Sequence, residues 1–131
     1  MVSSPLSLTD TQVFALCDTV RQAAFELHKF LCHGHLEKVY ETGLVNRLRK
    51  GGLAVDQQFP LNVYDEDGSL LGEYFADLYV ERFLIVELKT CRSLAHEHIA
   101  QVIGYLRTCQ RRHALLINFG APALQIRKII L

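Results

Sequence analysis

Three ionisable residues with the chemistry for catalysis interrupt strongly apolar segments of the chain. Asp77 stands between Ala76 and Leu78, while Glu87 and Lys89 flank Leu88 in the next apolar run. Such runs are typical of strands buried on both faces, where an unpaired charge costs several kcal/mol. The three residues therefore either satisfy one another, as in a salt bridge within a hairpin, or bind a ligand.

Strand register decides whether these side chains can act together. Glu87 and Lys89 are two positions apart and share one face of a strand. Asp77 joins that face if it lies opposite Glu87, which requires an odd loop, such as the three residues Glu81-Arg82-Phe83. A two-residue turn at Glu81-Arg82 would pair Asp77 with Val86 and direct it to the other face. A shared site therefore predicts the three-residue loop.

Polar residues also border the apolar stripes of two predicted helices. Glu37 shares a helix face with Tyr40, three positions later, and with two leucines beyond it. A carboxylate there either binds a cation or lies at a rim, with its stem packed and its head in water. In a later helix, Gln101 and Tyr105 are four residues apart and His98 is on the same flank. Helix-to-sheet packing with a polar tip is the alternative interpretation of these residues.

Periodicity and turn signals predict the elements that would position these residues. Thr9 and Gln12 fit a capping box that begins a first helix. The further elements are a helix over about 35–50, strands over 54–64, 70–80 and 83–90, a helix capped by Ser93 that runs to about 109, and strands over 113–119 and 124–131. This α/β order contains an αβββαβ core and favours a mixed sheet covered by helices, with Pro60 marking an edge strand.

The composition limits the classes of function. A length of 131 residues, half of them hydrophobic, predicts one domain over residues 1–131. Fourteen basic and fourteen acidic residues give no net charge, which argues against nonspecific nucleic-acid binding by overall attraction. Any nucleic-acid surface must then come from local patches. The absence of net charge also weakens self-repulsion, so a homodimer is compatible with the sequence.

The cysteines and the apolar segments bear on the compartment. The four cysteines form no C-x-x-C pair, and we interpret them as buried, reduced thiols. The N-terminal stretch MVSSPLSLTD lacks an apolar signal core, and no apolar run approaches the roughly 18 residues of a membrane span. We therefore expect a cytoplasmic protein that does not interact with membranes.

In order and spacing, several segments together resemble the GxxExxY family, which is assigned to the PD-(D/E)XK nuclease superfamily. The similar segments are Gly34–Tyr40, Gly72–Leu78, Ile85–Lys89 and Leu115–Gly120, with Gln101 and Tyr105 between the last two. The resemblance extends over about residues 10–131. It implies a restriction-endonuclease-like αβββαβ core with an extra N-terminal helix and a C-terminal strand. The Pro of the superfamily's name is absent, because Ala76 precedes Asp77.

The resemblance implies a metal site. Asp77 and Glu87 look like the metal-binding carboxylates, with the main-chain carbonyl of Leu88 as a further ligand. Lys89 looks like the residue that orients or deprotonates the attacking water. Two carboxylates and a carbonyl are hard oxygen ligands, which suit Mg²⁺ or Mn²⁺.

The resemblance also implies supporting roles on the helices. Glu37 resembles a first-helix acid that supports the metal through water, and Gln101 resembles the helix residue that completes the site. Tyr40, Tyr105 and His98 are the candidate substrate-binding residues. The implied activity is phosphodiester hydrolysis in DNA, with RNA as a second candidate substrate. The alternative is a non-catalytic nucleic-acid- or protein-binding module on the same fold.

Overall fold

The structure, a computed structural model, describes residues 7–131. Residues 1–6, which belong to the polar stretch without a signal core, lie outside the described residues. The elements are α1 (Asp10–Leu31), α2 (Glu37–Lys50), β1 (Val55–Tyr64), β2 (Leu70–Val80), β3 (Leu84–Lys89), α3 (His96–Cys109), β4 (His113–Asn118) and β5 (Gln125–Ile130). Their order is the one expected from the sequence.

The five strands form one mixed sheet in the order β1-β2-β3-β4-β5. The β3 and β4 strands are parallel and are joined through α3, whereas the other neighbours are antiparallel. The β1 strand, which contains Pro60, lies at one edge and the C-terminal β5 strand at the other. The predictions of a mixed sheet, an edge strand at Pro60 and a docked C-terminal strand are therefore confirmed.

Helices cover both faces of the sheet, and β3 is buried between them. One core cluster joins α1 and α2 to one face, and a second joins α3 to the other. Alternate residues of β3 enter the two clusters, so that Val86 packs in the first and Ile85 in the second. Every residue from Leu84 to Leu88 is buried. Glu87 therefore occupies a strand without a solvent-facing side, as its apolar neighbours predict.

The predicted three-residue loop joins β2 to β3. Val80 pairs with Leu84, and the amide of Phe83 donates to the carbonyl of Val80 at 3.0 Å. Glu81 and Arg82 both have positive φ angles, 55° and 48°, as a tight turn compatible with strand twist requires. The register predicted from the requirement for a shared site is thus confirmed.

In both strands of the β1–β2 hairpin, the regular alternation of side chains between the two faces of the sheet is interrupted, around Asp77 in β2 and around Gln58 in β1. Ala76 and Tyr79 are three positions apart, yet they belong to the same core cluster, while Leu78 belongs to the other. Regular alternation would place residues three apart on opposite faces. The neighbouring position of β1, Gln58, has a φ of 49°, a left-handed conformation that L residues seldom adopt. Asp77 therefore lies at an irregularity in the sheet.

Two expectations about local structure are wrong. Ser93 does not cap α3, because the helix begins at His96 and the amide of Ala95 donates instead to Nδ1 of His98 at 3.0 Å. All four cysteines are free, but only Cys17 is buried. Cys32 is exposed because it follows the C-terminal end of α1.

Within residues 7–131, no helix combines the length and the apolar character needed to cross a bilayer.

A close approach of two backbones at Gly120 provides a test of the fold. A Cβ atom on Gly120 would lie 2.5 Å from backbone atoms of Thr90 and Cys91, whereas one on Gly104, within α3, would meet nothing within 4 Å. We expect Gly120→Ala to lower the free energy of unfolding by about 1–3 kcal/mol, because backbone must shift. Gly104→Ala should raise it by up to about 1 kcal/mol. Urea denaturation measures both, and equal effects of the two substitutions would contradict the packing described.

Candidate active site

The carboxyl groups of Asp77 and Glu87 meet in the gap where β2 separates from β3. The amide of Asp77 donates to Oε1 of Glu87 at 2.8 Å, and the amide of Leu88 donates to Oδ2 of Asp77 at 2.8 Å. Each carboxylate thus accepts a hydrogen bond from the opposite strand, in place of a further rung of the backbone ladder. The two groups are therefore aimed into one gap and not toward opposite sides of the sheet.

The carboxyl pair is electrostatically unfavourable without a cation. Burial, together with the negative charge of Asp77, raises the pKa of Glu87 to about 8. Burial also raises the pKa of Asp77, although hydrogen bonds from the Leu88 amide and from Gln58 oppose that shift. Desolvation and a like charge both disfavour the ionised form of a carboxyl group. A bound divalent cation would reverse this preference, so the charge of the pair fits such an ion.

The donor atoms in the gap are oxygens. Within one strand residue, the N–H and C=O groups point to the same neighbouring strand. The Leu88 amide bonds Asp77, so the Leu88 carbonyl also points toward β2. Two carboxylates and a carbonyl suit Mg²⁺ or Mn²⁺. No three His, Cys, Asp or Glu side chains among residues 7–131 form a group able to hold a metal ion, so water would have to complete the coordination of an ion at this pair.

Lys89 and Gln101 are joined directly. The Nζ atom of Lys89 donates to Oε1 of Gln101 at 2.9 Å. Lys89 is the last residue of β3, and Gln101 lies on the exposed side of α3. The structure thus brings the lysine and the helix amide together, and the bond restrains the ammonium group near the acid pair.

Tyr105 lies beside the acids on the α3 side of the sheet. Its side chain is buried, and its ring centroid is 5.6 Å from that of the half-exposed Tyr74. Burial, followed by the charges of Glu87 and Asp77, raises the pKa of Tyr105 to about 12. The phenol therefore keeps its proton at neutral pH and can donate a hydrogen bond.

Glu37 occupies the first turn of α2, the helix on the opposite face of the sheet from α3. Its pKa is raised by partial burial first and by the charge of Asp77 second, while Lys89 lowers it. These influences place Glu37 within electrostatic range of both residues. Glu37 therefore contributes a carboxyl group to the α2 side of the site.

Tyr40 is placed differently from a substrate-binding residue. It has no exposed surface and stacks on Phe119, with ring centroids 4.7 Å apart. Its hydroxyl donates to the Cys32 carbonyl and accepts from the His35 amide at 3.2 Å. In this arrangement Tyr40 holds the turn that precedes Glu37. His98 is partly buried, and its Nδ1 atom accepts a hydrogen bond from the Ala95 amide at the start of α3.

A buried asparagine holds the segment that follows Lys89. The Asn118 side chain accepts from the amides of Cys91 and Gly120, at 3.0 and 2.9 Å, and donates to the Cys91 carbonyl at 2.9 Å. The amide of Phe119 in addition donates to the Lys89 carbonyl at 2.8 Å. These bonds fix the end of β3 against the end of β4 and so fix the position of Lys89.

A hydrogen-bonded group next to Asp77, centred on Glu41, was not predicted from the sequence. Glu41 is only 3% exposed and accepts from Lys38 Nζ at 2.7 Å, from Gln57 Nε2 at 2.9 Å and from Gln58 Nε2 at 2.6 Å. Gln58 Nε2 also donates to Oδ1 of Asp77 at 3.1 Å. One signal was available, because Glu41 follows Glu37 by one helical turn.

Comparisons with known proteins agree with this architecture. A family model described as the PD-(D/E)XK nuclease superfamily matches residues 15–129. A solved structure titled "Crystal structure of SSO0001" is similar in fold, with a TM-score of 0.58 and 17% sequence identity. The alignment covers 71% of this chain and 48% of that chain, so this protein spans about half the length of the solved one. No curated protein matches.

The raised pKa of Glu87 predicts a pH-dependent stability in metal-free protein. Its folded value of about 8 lies above the unfolded value, so the stabilisation is complete below about pH 4.5 and is lost as pH rises through 8. We expect Glu87→Gln, which stays neutral, to be more stable than the original protein at pH 9 by on the order of 2–4 kcal/mol. Urea unfolding with a chelator between pH 5 and 9 measures the difference. The exposed Glu66→Gln serves as the control, and parallel pH profiles for all three proteins would contradict the expectation.

Proposed function

This chain belongs to the PD-(D/E)XK nuclease superfamily, and on that premise we propose that it is a metal-dependent nuclease. The proposed reaction is phosphodiester hydrolysis in DNA, with RNA as the second candidate substrate. The observation that carries the proposal is the meeting of the Asp77 and Glu87 carboxyl groups in one desolvated gap.

Asp77, Glu87 and the Leu88 carbonyl would hold Mg²⁺ or Mn²⁺. When bound, such an ion lowers the pKa of a coordinated water and stabilises charge on the phosphoryl oxygens. The backbone hydrogen bonds to both carboxylates fix their orientation before any ion arrives. Carboxylate ligands that are held in place in this way need little reorganisation when the ion binds.

Lys89, held by Gln101, is proposed to donate hydrogen bonds to the attacking water or to the phosphoryl oxygens. A positioned ammonium favours negative charge that develops during the attack. Glu37 is proposed to act from the α2 side through a water molecule. Tyr105 and His98 remain the candidate contacts for substrate, since the Tyr105 phenol keeps its proton beside the acids.

Residues 1–131 are proposed to form one nuclease-like domain that acts in the cytoplasm. Because the chain has no net charge, nucleic-acid binding needs either a local patch or a second copy of the chain. The same observation favours the alternative of a non-catalytic binding module.

The two proposed functions differ in metal binding, because a catalytic site of this composition requires a divalent ion. Titration calorimetry with Mg²⁺ and Mn²⁺ should give binding for the nuclease and little heat for the module.

A cleavage assay tests the catalytic assignment. With single- and double-stranded DNA and RNA, we expect cleavage that requires Mg²⁺ or Mn²⁺. Asp77→Asn, Glu87→Gln and Lys89→Met should each reduce the rate by at least about 100-fold, because each removes a group directed at developing charge or at the ion. Glu66→Gln, in the exposed β1–β2 turn, should keep the full rate. Cleavage that survives Asp77→Asn or Glu87→Gln would overturn the mechanism.

A further inference from the structure

We propose that Glu41 and Gln58 are positioning residues that fix the carboxylate of Asp77. Gln58 bonds both acids through one nitrogen, at 2.6 Å to Glu41 and 3.1 Å to Asp77. Asp77 is in turn bonded to the Leu88 amide. A continuous series of contacts thus runs from α2 through the edge strand to β3. The consequence for metal affinity rests on the proposed function, whereas the positioning itself does not.

Glu41 provides the fixed end of this series. It is buried and receives three donors from two different elements, Lys38 on its own helix and the neighbouring amides of Gln57 and Gln58 on β1. A buried carboxylate is retained at low cost only when it is well hydrogen-bonded. Hydrogen bonds to a charged group are also stronger than neutral ones. The Glu41 side chain therefore has little freedom to move.

The two acids determine the orientation of the Gln58 amide. Both of its neighbours, Glu41 and Asp77, are carboxyl groups and accept hydrogen bonds when ionised. The NH₂ group must then face them and the amide oxygen must point away. Each of the two N–H bonds can serve one acid. Gln58 consequently separates two groups of like charge while it restrains both.

The backbone at Gln58 supports the same conclusion. Its φ of 49° is left-handed, a conformation that costs a non-glycine residue roughly 1–2 kcal/mol. The same level of the sheet is where β1 and β2 change face and where Asp77 leaves regular alternation. Without this conformation the side chain at position 58 would follow the strand's alternation and would not lie between Glu41 and Asp77. The unfavourable geometry is thus linked to the contacts of Gln58 with Glu41 and Asp77.

Gln57 offers a matched control. It is adjacent in sequence and donates to Oε2 of the same Glu41 at 2.9 Å, whereas the contact with Asp77 is made by Gln58. Gln58→Met removes the bonds to both acids with little change in side-chain size. Gln57→Met removes only a bond to Glu41. A difference between the two variants therefore reports on the Asp77 contact.

The test begins with metal-free protein. We expect Gln58→Met to accelerate hydrogen exchange of the Leu88 amide about 5–10-fold, because a released Asp77 carboxylate bonds that amide less well. Gln57→Met should change it less than twofold. The amide of Ile117, in the buried β4 strand, should be unchanged in both and reports that the fold is intact. An unchanged Leu88 amide in folded Gln58→Met would overturn the proposal.

Mn²⁺ titration calorimetry provides the second measurement. Gln58→Met should weaken Mn²⁺ binding by about 5–10-fold and Gln57→Met by less than twofold, in line with a lost charged hydrogen bond. If the unsubstituted protein binds no Mn²⁺, the proposed function fails, and the Leu88 exchange rate still decides the positioning role. Equal weakening by the two variants would contradict a role through Asp77.

A double-substitution cycle tests the role of Glu41. Glu41→Gln replaces one acceptor oxygen by an NH₂ group. If the remaining oxygen keeps the two donors Lys38 and Gln57, which share Oε2, the NH₂ group faces the Gln58 nitrogen in place of Oε1 and the Gln58 contact is lost. We expect Glu41→Gln to accelerate Leu88 exchange in the same direction as Gln58→Met. The two substitutions together should add little to Gln58→Met alone, because coupled residues are not additive. Fully additive effects would show that Glu41 does not act through Gln58 and would overturn its part in the proposal.

Discussion

The structure depends on how two antiparallel strands stop pairing inside a buried sheet. Where β2 leaves β3, the backbone amides of Asp77 and Leu88 need acceptors, because an unpaired buried N–H group is costly. The carboxylates of Glu87 and Asp77 supply them. The same two contacts therefore satisfy the backbone and bring two negative groups together. The proposed metal site therefore coincides with a structural requirement of the separating strands.

The surroundings reduce the resulting repulsion only in part. Lys89 is directed to Gln101, and Gln58 contributes one amide nitrogen to Asp77. The raised pKa values of Asp77 and Glu87 show that these donors do not balance the burial of two acids. Proteins commonly carry such local strain at functional positions. A site of this kind gains stability when a cation arrives, which links ligand binding to folding.

Much of the fold and part of the site could be predicted because they depend on patterns that physics makes strict. The period of two left two turn lengths open, and the hypothesis that the charges within the apolar strands share one site selected the three-residue loop and the opposition of Asp77 and Glu87. Gln58 could not be found, because a left-handed residue in an edge strand has no sequence signature of its own. The burial of Tyr40 could not be predicted either, since a tyrosine on an apolar stripe is wholly buried only when its hydroxyl finds backbone partners, as it does here.

The change of face at Gln58 and Asp77 has a consequence for how the molecule can vary. Beyond it, no residue from Asn62 to Glu73 is buried, so the tip of the β1–β2 hairpin contributes nothing to either core. Both strands have already passed the acid pair at that point. Residues can therefore be gained or lost at the tip in matched pairs, one from each strand, while the register at the acids is preserved. The hairpin tip can therefore accept insertions, deletions and substitutions during evolution without a change in the arrangement of Asp77 and Glu87.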